Sequence, residues 1–434
     1  MTKIAIIGAG SAVFTKNIVG DILRIPGLEY GVFALIDIDE RRLSLARQLT
    51  EKAIELSGRK WTVMSSIERR EVLSGSTFVI SQIEVAGLQT VQLEYEIPLK
   101  YGVKQCIGDT LGPGGLFKTL RTLPAWLAIL KDVEELCPEA IVLNYANPMS
   151  AITLAATRVT KLPVVGLCHS IYHTSHQLAE YLDVPYDELK WRAGGINHMA
   201  WFVELSHEGK NMYPYLNEKI KDLSFLERDP VRFDAMKYLG AFVSESSGHF
   251  SEYVPYYRKR EDLIERHCRA GYNGATGFYA SNWPVWRRES DEAIERMVMN
   301  KENLSLEPSG EYAPIIIEGV VTNSPKVIYG NVLNEGLISN LPFNGIVEVA
   351  CLVDKRGVQP TKFGFLPEHL AALCRSNMSF FDLSVSAVLE RSRELAMQAL
   401  MLDPLTSAVC SLEEIKSMFD ELFDAEQDFI GDMN

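Results

Sequence analysis

The sequence predicts an α/β protein, with a Rossmann-like, mostly parallel sheet followed by a second, mixed α+β domain. Three observations carry that reading. An apolar strand at residues 3–7 runs straight into the glycine turn Gly8-Ala9-Gly10-Ser11. Buried strands and helices then alternate, which indicates a parallel sheet. The run Val164-Val165-Gly166-Leu167 ends in Cys168-His169-Ser170, ahead of a helix-compatible stretch at 171–182. A soft ligand or nucleophile thus stands at the carboxyl end of a strand, where open α/β sheets bind ligands. Read on its own, Cys168 is equally an ordinary buried cysteine.

The first elements suggest a nucleotide site. The strand at 3–7, the glycine turn, a helix over about 15–23 and a strand at 31–36 ending in Asp37 follow the order of a dinucleotide-binding unit. Gly8, Gly10 and Ser11 form the turn on which a pyrophosphate would rest, at a helix N-terminus. Asp37 would accept a hydrogen bond from a ribose 2′-hydroxyl and repel a 2′-phosphate, which favours NAD over NADP. Val13 stands where the third glycine of the fingerprint belongs, so helix and strand would pack less closely.

A strand at 76–83 comes next. The loop Ile107-Gly108-Asp109-Thr110-Leu111-Gly112-Pro113-Gly114-Gly115 follows, shaped by its glycines and proline, ahead of a helix at 116–136. Asp109 is a carboxylate candidate there, or a solvated turn residue. A strand at 140–143 leads to Asn144-Tyr145-Ala146-Asn147-Pro148-Met149. The proline pushes Asn147 toward extended geometry, which turns its amide to the crevice or leaves it capping the next helix.

The break at Ala193-Gly194-Gly195 sets a boundary. A nucleotide-binding domain would cover 1–195, and a substrate, metal and oligomerisation domain 196–434. Asn197 and His198 stand just past that break. The second part opens with a strand at 199–205. It carries a polar stretch at 244–253, a polar insertion at about 258–274 and a helix near 312–321. Strands at 326–332 and 346–353, mostly helical periodicity over 367–402 and an amphipathic helix at 412–423 complete it.

Composition excludes several classes. The 434 residues, 47% hydrophobic and 23% charged, are ordinary for a globular protein. A net charge of −14 argues against a nucleic-acid partner, which needs a basic face. No apolar run is long enough to span a membrane, and the one at 4–7 is too short for a signal peptide. Seven scattered cysteines without a C-x-x-C pair fit reduced thiols. The expectation is a cytoplasmic protein with a small-molecule ligand and no membrane partner.

Together these residues resemble glycoside hydrolase family four, the NAD- and manganese-dependent glycosidases. The resemblance runs through essentially the whole chain. It rests on Gly8-Ala9-Gly10-Ser11, Asp109-Thr110 with Gly112-Pro113-Gly114-Gly115, Asn147-Pro148-Met149, Cys168-His169-Ser170 and Gly195-Ile196-Asn197-His198. It continues in Ile328-Tyr329-Gly330-Asn331, Val347-Glu348-Val349 and Gln359-Pro360-Thr361. Cys168-His169-Ser170 looks like the α-galactosidase (melibiase) subgroup, whereas phospho-glycosidases of the family carry Asn or Asp after the cysteine.

The resemblance implies hydrolysis by transient oxidation of the sugar at C3 by NAD, removal of the C2 proton by a base, and elimination of the C1 aglycone. A divalent metal would hold the C2 and C3 oxygens. Cys168 and His198 map onto the family's metal ligands. Manganese follows from the resemblance alone, since thiolate and imidazole would bind zinc well. Tyr253, first in Tyr253-Val254-Pro255-Tyr256-Tyr257, maps onto the family's base, with aromatic packing of all three tyrosines as the alternative. His169 or Asp109 would assist the leaving group, Asn147 and Asn197 would touch the sugar, and the chain would form a homo-oligomer, dimer or tetramer.

Alternatives stay open at this level. One hydroxyl or carboxylate contact could switch the substrate to an α-galacturonide or α-glucoside. A hydroxy-acid dehydrogenase would share the first domain but need no thiolate–imidazole metal site. An NAD-responsive sugar sensor would bind without turnover.

Overall fold

The computed structural model describes residues 1–269 and 271–434. Its centre is one sheet of 13 strands. In chain order these are β1 (Thr2–Ile7), β2 (Tyr30–Ile36), β3 (Lys60–Ser66), β4 (Phe78–Ser81), β5 (Ile141–Asn144), β6 (Val164–Gly166) and β7 (Lys190–Ile196). Then come β8 (Met199–His207), β9 (Lys210–Asn211), β10 (Phe242–Val243), β11 (Lys326–Leu333), β12 (Ile346–Asp354) and β13 (Gly357–Pro360). Across the sheet, β3-β2-β1-β4-β5-β6 are parallel throughout. That is the doubly wound order of dinucleotide-binding folds.

Beyond β6 the pairing turns antiparallel, through β11, β12, β7, β8 and β10. The fold class is therefore α/β with a Rossmann-like parallel half and a mixed remainder, and both share one sheet. Residues on either side of 195/196 belong to it, because β7 pairs with both β12 and β8.

The parallel strands are apolar on both faces because helices cover both. Ile4, Ala5 and Ile6 of β1 and Phe78, Val79 and Ile80 of β4 are fully buried. The helices that bear on function are α1 (Ala12–Arg24), α2 (Glu40–Ser57), α3 (Gly112–Leu136), α4 (Ser170–Leu182), α5 (Ser247–Tyr253), α6 (Phe278–Val298), α7 (Tyr312–Thr322) and α8 (Glu368–Glu390). Among the described residues, no helix is long and apolar enough to cross a membrane.

Two differences from the sequence reading have physical reasons. The helix expected from residue 116 begins at Gly112, with Pro113 in its first turn, where a missing N–H is tolerated. The glycines there serve close approach. A Cβ on Gly114 would stand 2.2 Å from the Gly108 carbonyl oxygen, and one on Gly115 2.4 Å from the Thr110 carbonyl carbon. The first turn of α3 therefore lies directly on the Asp109-Thr110 loop. Residues 40–66 carry no motif, yet they form α2 and β3. Asp39 caps α2 by accepting from the Arg42 N–H, and Leu43, Ala46, Leu49 and Ala53 bury one stripe of it.

Candidate active site

The order of the parallel strands reverses between β1 and β4, and a cavity of about 430 Å³ opens beside that point. Gly8, Ser11 and Asp37 line it. The Asp37 carboxylate accepts from the N–H groups of Gly10, at 2.7 Å, and Asp39, at 2.9 Å. A Cβ on Gly10 would come within 2.6 Å of Asp37 Oδ2, so a glycine is what lets turn and carboxylate close on each other. Ser11 heads α1 without capping it through its side chain, which leaves first-turn N–H donors for an anion. Glu84, Gly87 and Trp283 line this cavity and also a second one that Asp109 and Lys118 border. This cavity and the Asp109 loop are thus neighbours.

Around Asp109 the structure gathers residues from distant segments. Cys168 ends the turn after β6, and the His198 imidazole, from the turn between β7 and β8, acts on its thiol. Burial pushes the Cys168 thiol up, but the His198 imidazole and Ser170 outweigh it and bring it down to about 6. His198 also meets Glu245 and His249, with one ligand atom from each within 4.8 Å of the others. His249 Nδ1 lies 2.8 Å from Glu245 Oε2, and its Nε2 lies 3.7 Å from Asp109 Oδ1. Asp109 Oδ2 accepts from Asn147 Nδ2 at 3.1 Å.

The charges are interlocked. Burial opposes ionisation of Asp109 and Glu245, yet His249 holds both carboxyls well below their usual range. Burial likewise opposes a charged His249, and the two carboxylates hold its imidazole well above its usual value. His198 and Glu245 both adopt left-handed backbone, with φ of 61° and 76°. Such conformations in non-glycine residues cluster at functional sites.

Three buried polar atoms here lack a hydrogen-bond partner among the described residues: His198 Nδ1, Asp109 Oδ1 and Asn197 Nδ2. An unpaired buried polar group is costly, on the order of 1–3 kcal/mol, and the first two of these atoms can ligate a cation. Thiolate, imidazole and carboxylate together suit a divalent transition metal. The residues present therefore fit such an ion.

Tyr253, at the end of α5, is 1% exposed, and its hydroxyl donates to Thr110 Oγ1 at 2.9 Å. Its ring centroid is 6.1 Å from that of His198, and Asn377 Nδ2 donates to its carbonyl at 3.1 Å. Burial, reinforced by Asp109 and Glu252, pushes its hydroxyl well above the ordinary tyrosine value, against the pull of Thr110. A cation beside it would pull that value back down. The neighbouring tyrosines stand elsewhere: Tyr256 is 44% exposed, and Tyr257 donates to Asp234 at 3.2 Å. Glu252 accepts from the N–H groups of Cys106, Ile107 and Gly108, and so braces the Asp109 loop.

His169, at the start of α4, points to another partner. Its Nε2 is 2.7 Å from Oε2 of Glu311, the residue that precedes α7. Burial works against the charged imidazole, but Glu311 raises it above the usual histidine value. Glu348 of the Val347-Glu348-Val349 motif is fully buried opposite Asn331 and Gly195. Burial, then the Cys168 charge, push its carboxyl well above the usual range.

Sequence reasoning missed Glu245, His249, Glu311 and Tyr272, whose hydroxyl donates to Glu245 Oε1 at 2.9 Å. A signal existed for the first two, since they sit four residues apart in the polar stretch at 244–253. Glu311 and Tyr272 arrive by long-range packing and carry no local pattern.

Comparison with known proteins agrees with this architecture. Family 4 glycosyl hydrolase matches residues 3–184, and the family 4 glycosyl hydrolase C-terminal domain matches residues 193–406. An α-galactosidase from Bacillus subtilis (strain 168) is 39% identical over 99% of this chain and 99% of its own. An α-galactosidase from Rhizobium meliloti (strain 1021) is 36% identical over 98% of this chain and 88% of its own. The 6-phospho-β-glucosidase from Thermotoga maritima, solved with manganese, NAD⁺ and glucose-6-phosphate, superimposes with a TM-score of 0.81 at 22% identity, covering 100% of both chains. The chain belongs to family 4 of the glycosyl hydrolases.

Proposed function

We propose that this chain is an α-galactosidase that uses NAD and manganese and returns its NAD unchanged at the end of each turnover. One observation carries the reading: a dinucleotide cavity borders, through Glu84, Gly87 and Trp283, a cluster in which Asp109, His198, Glu245 and His249 meet. A plain dehydrogenase needs the first of these and not the second. Two α-galactosidases at 39% and 36% identity support the sugar, and the family structure named with manganese and NAD⁺ supports the cofactors.

Bound NAD supplies a hydride acceptor, and a divalent metal supplies a Lewis acid. Gly8, Gly10, Ser11 and Asp37 would hold the dinucleotide. Cys168 and His198, with Glu245 and His249 beside them, would hold the metal. Asn147 and Asn197 would orient the sugar hydroxyls. Tyr253 would take the C2 proton. His169, paired with Glu311, is the better proton donor to the departing oxygen, because Asp109 already serves as an acceptor for Asn147 and faces His249. We also propose a homo-oligomer, dimer or tetramer, a cytoplasmic location, and two units spanning 1–195 and 196–434.

The test is hydrolysis of nitrophenyl α-galactoside, α-glucoside and α-galacturonide, each with and without NAD⁺, Mn²⁺ and a thiol reductant. The α-galactoside should be preferred, and all three additions should be needed. Full activity in protein stripped of nucleotide, or NADH accumulating in step with product, would refute the proposal.

A further inference from the structure

The nucleotide cavity has a wall that the parallel half of the sheet does not supply. Helix α6 comes from far down the chain, and its Trp283 and Arg287 line the cavity together with Gly8, Ser11, Asp37 and Arg42. The helix is anchored on the nucleotide-binding half. Asp291 pairs with Arg42, Glu295 pairs with Arg41, and Lys52 Nζ donates to the Met297 carbonyl at 3.1 Å and to Asn300 Oδ1 at 2.7 Å. Trp283 is held by stacking on Tyr279, with ring centroids 5.6 Å apart and an interplanar angle of 13°.

Arg287 is the under-used group on this wall. Its Nε is buried without a hydrogen-bond partner among the described residues. Its nearest acid, Asp291, stands 4.0 Å away and is already engaged by Arg42. Its guanidinium lies 5.9 Å from the centre of the Trp283 ring. A guanidinium with free donors at a cavity edge matches phosphate oxygens in both charge and geometry. The other arginines that line the cavity are committed to acids, Arg42 to Asp291 and Arg69 to Asp132, which leaves Arg287 as the cation on this lining with donors to spare for a pyrophosphate.

Resting on the NAD proposal above, we propose that Arg287 is a cofactor-binding residue. It donates to the dinucleotide's phosphate oxygens from a roof formed by α6, with Trp283 as the wall beside it. The second half of the chain then takes part in holding NAD.

Calorimetric titration of metal-free wild type, R287A and R287K with NAD⁺, ADP-ribose and adenosine tests this. R287A should bind NAD⁺ and ADP-ribose about 10–100-fold more weakly, the range for a lost hydrogen bond to a charged group. Adenosine affinity should not change, and R287K should recover part of the loss. A matching melting temperature for unliganded R287A and wild type confirms that the cavity is intact. NAD⁺ binding to R287A within twofold of wild type would overturn the assignment, as would an equal loss for adenosine. Failure of the wild type itself to bind NAD⁺ would instead overturn the NAD proposal on which it rests.

Discussion

Glu245 Oε2 lies 2.8 Å from His249 Nδ1, and this contact ties a four-residue spacing in the sequence to the cluster around His198. Both residues belong to the candidate metal site, as ligands or as the groups that orient ligands. E245Q and H249A should each weaken Mn²⁺ binding by about 10–100-fold, the usual effect of losing such support. Titration followed by electron paramagnetic resonance measures it. Unchanged affinity in both variants would confine the metal to Cys168 and His198.

Cys168 should be the reactive thiol. It is brought down to about 6, while Cys351 and Cys374 are pushed up to about 12 and Cys410 to about 11, all by burial. The thiolate is the reactive form. In metal-free protein, alkylation at pH 7 should label Cys168 first, at a rate that rises with pH through about 6 and then levels. Mn²⁺ should protect it, and C168S and H198A should each lose metal-dependent turnover while remaining folded. Peptide mass spectrometry reads the labelling. Even labelling of all the thiols, or a Cys168 rate still climbing toward pH 9, would contradict the arrangement.

Tyr253→Phe removes one hydroxyl and keeps the ring. It leaves the buried Thr110 Oγ1 without that donor, at a cost of about 1–3 kcal/mol, so the protein should stay folded with a melting temperature lowered by only a few degrees. Turnover should fall by roughly 10²–10⁴-fold, the range for general acid–base catalysis. Near-normal turnover would remove Tyr253 from proton transfer, and Tyr272, bonded to Glu245, would be the next tyrosine to test.

Gly10→Ala places a methyl group 2.6 Å from Asp37 Oδ2 and 2.8 Å from Arg42 Cβ. The turn must open, so NAD⁺ affinity should fall at least tenfold while Mn²⁺ affinity stays as in the wild type. Calorimetry with each ligand separates the two. A parallel loss of both would mean general unfolding rather than a displaced turn.

The sequence was most informative where one short segment forms a whole part. The β1 turn, Asp37 at the end of β2 and Cys168 after β6 each announce themselves through strand, turn and side chain in a row. The order of strands across the sheet was not legible, because β11 and β12 reach β6 and β7 from more than a hundred residues away. The same physics hides Glu311, which reaches His169 across 142 residues. Gly112, Gly114 and Gly115 read as a loop in the sequence yet open α3, because close approach to backbone and conformational freedom call for the same residue type. Helix α6 carries no motif at all, and its bearing on the nucleotide cavity emerges only from the ion pairs that dock it on α2.

The claim that hydrolysis passes through removal of the C2 proton is tested most directly by running the reaction in heavy water. Galactose released from nitrophenyl α-galactoside, with NAD⁺ and Mn²⁺ present, is examined at C2 by nuclear magnetic resonance. The elimination route predicts deuterium at C2 of the product and slower turnover of substrate deuterated there. A product that keeps its C2 proton in full, with no isotope effect on turnover, would contradict it.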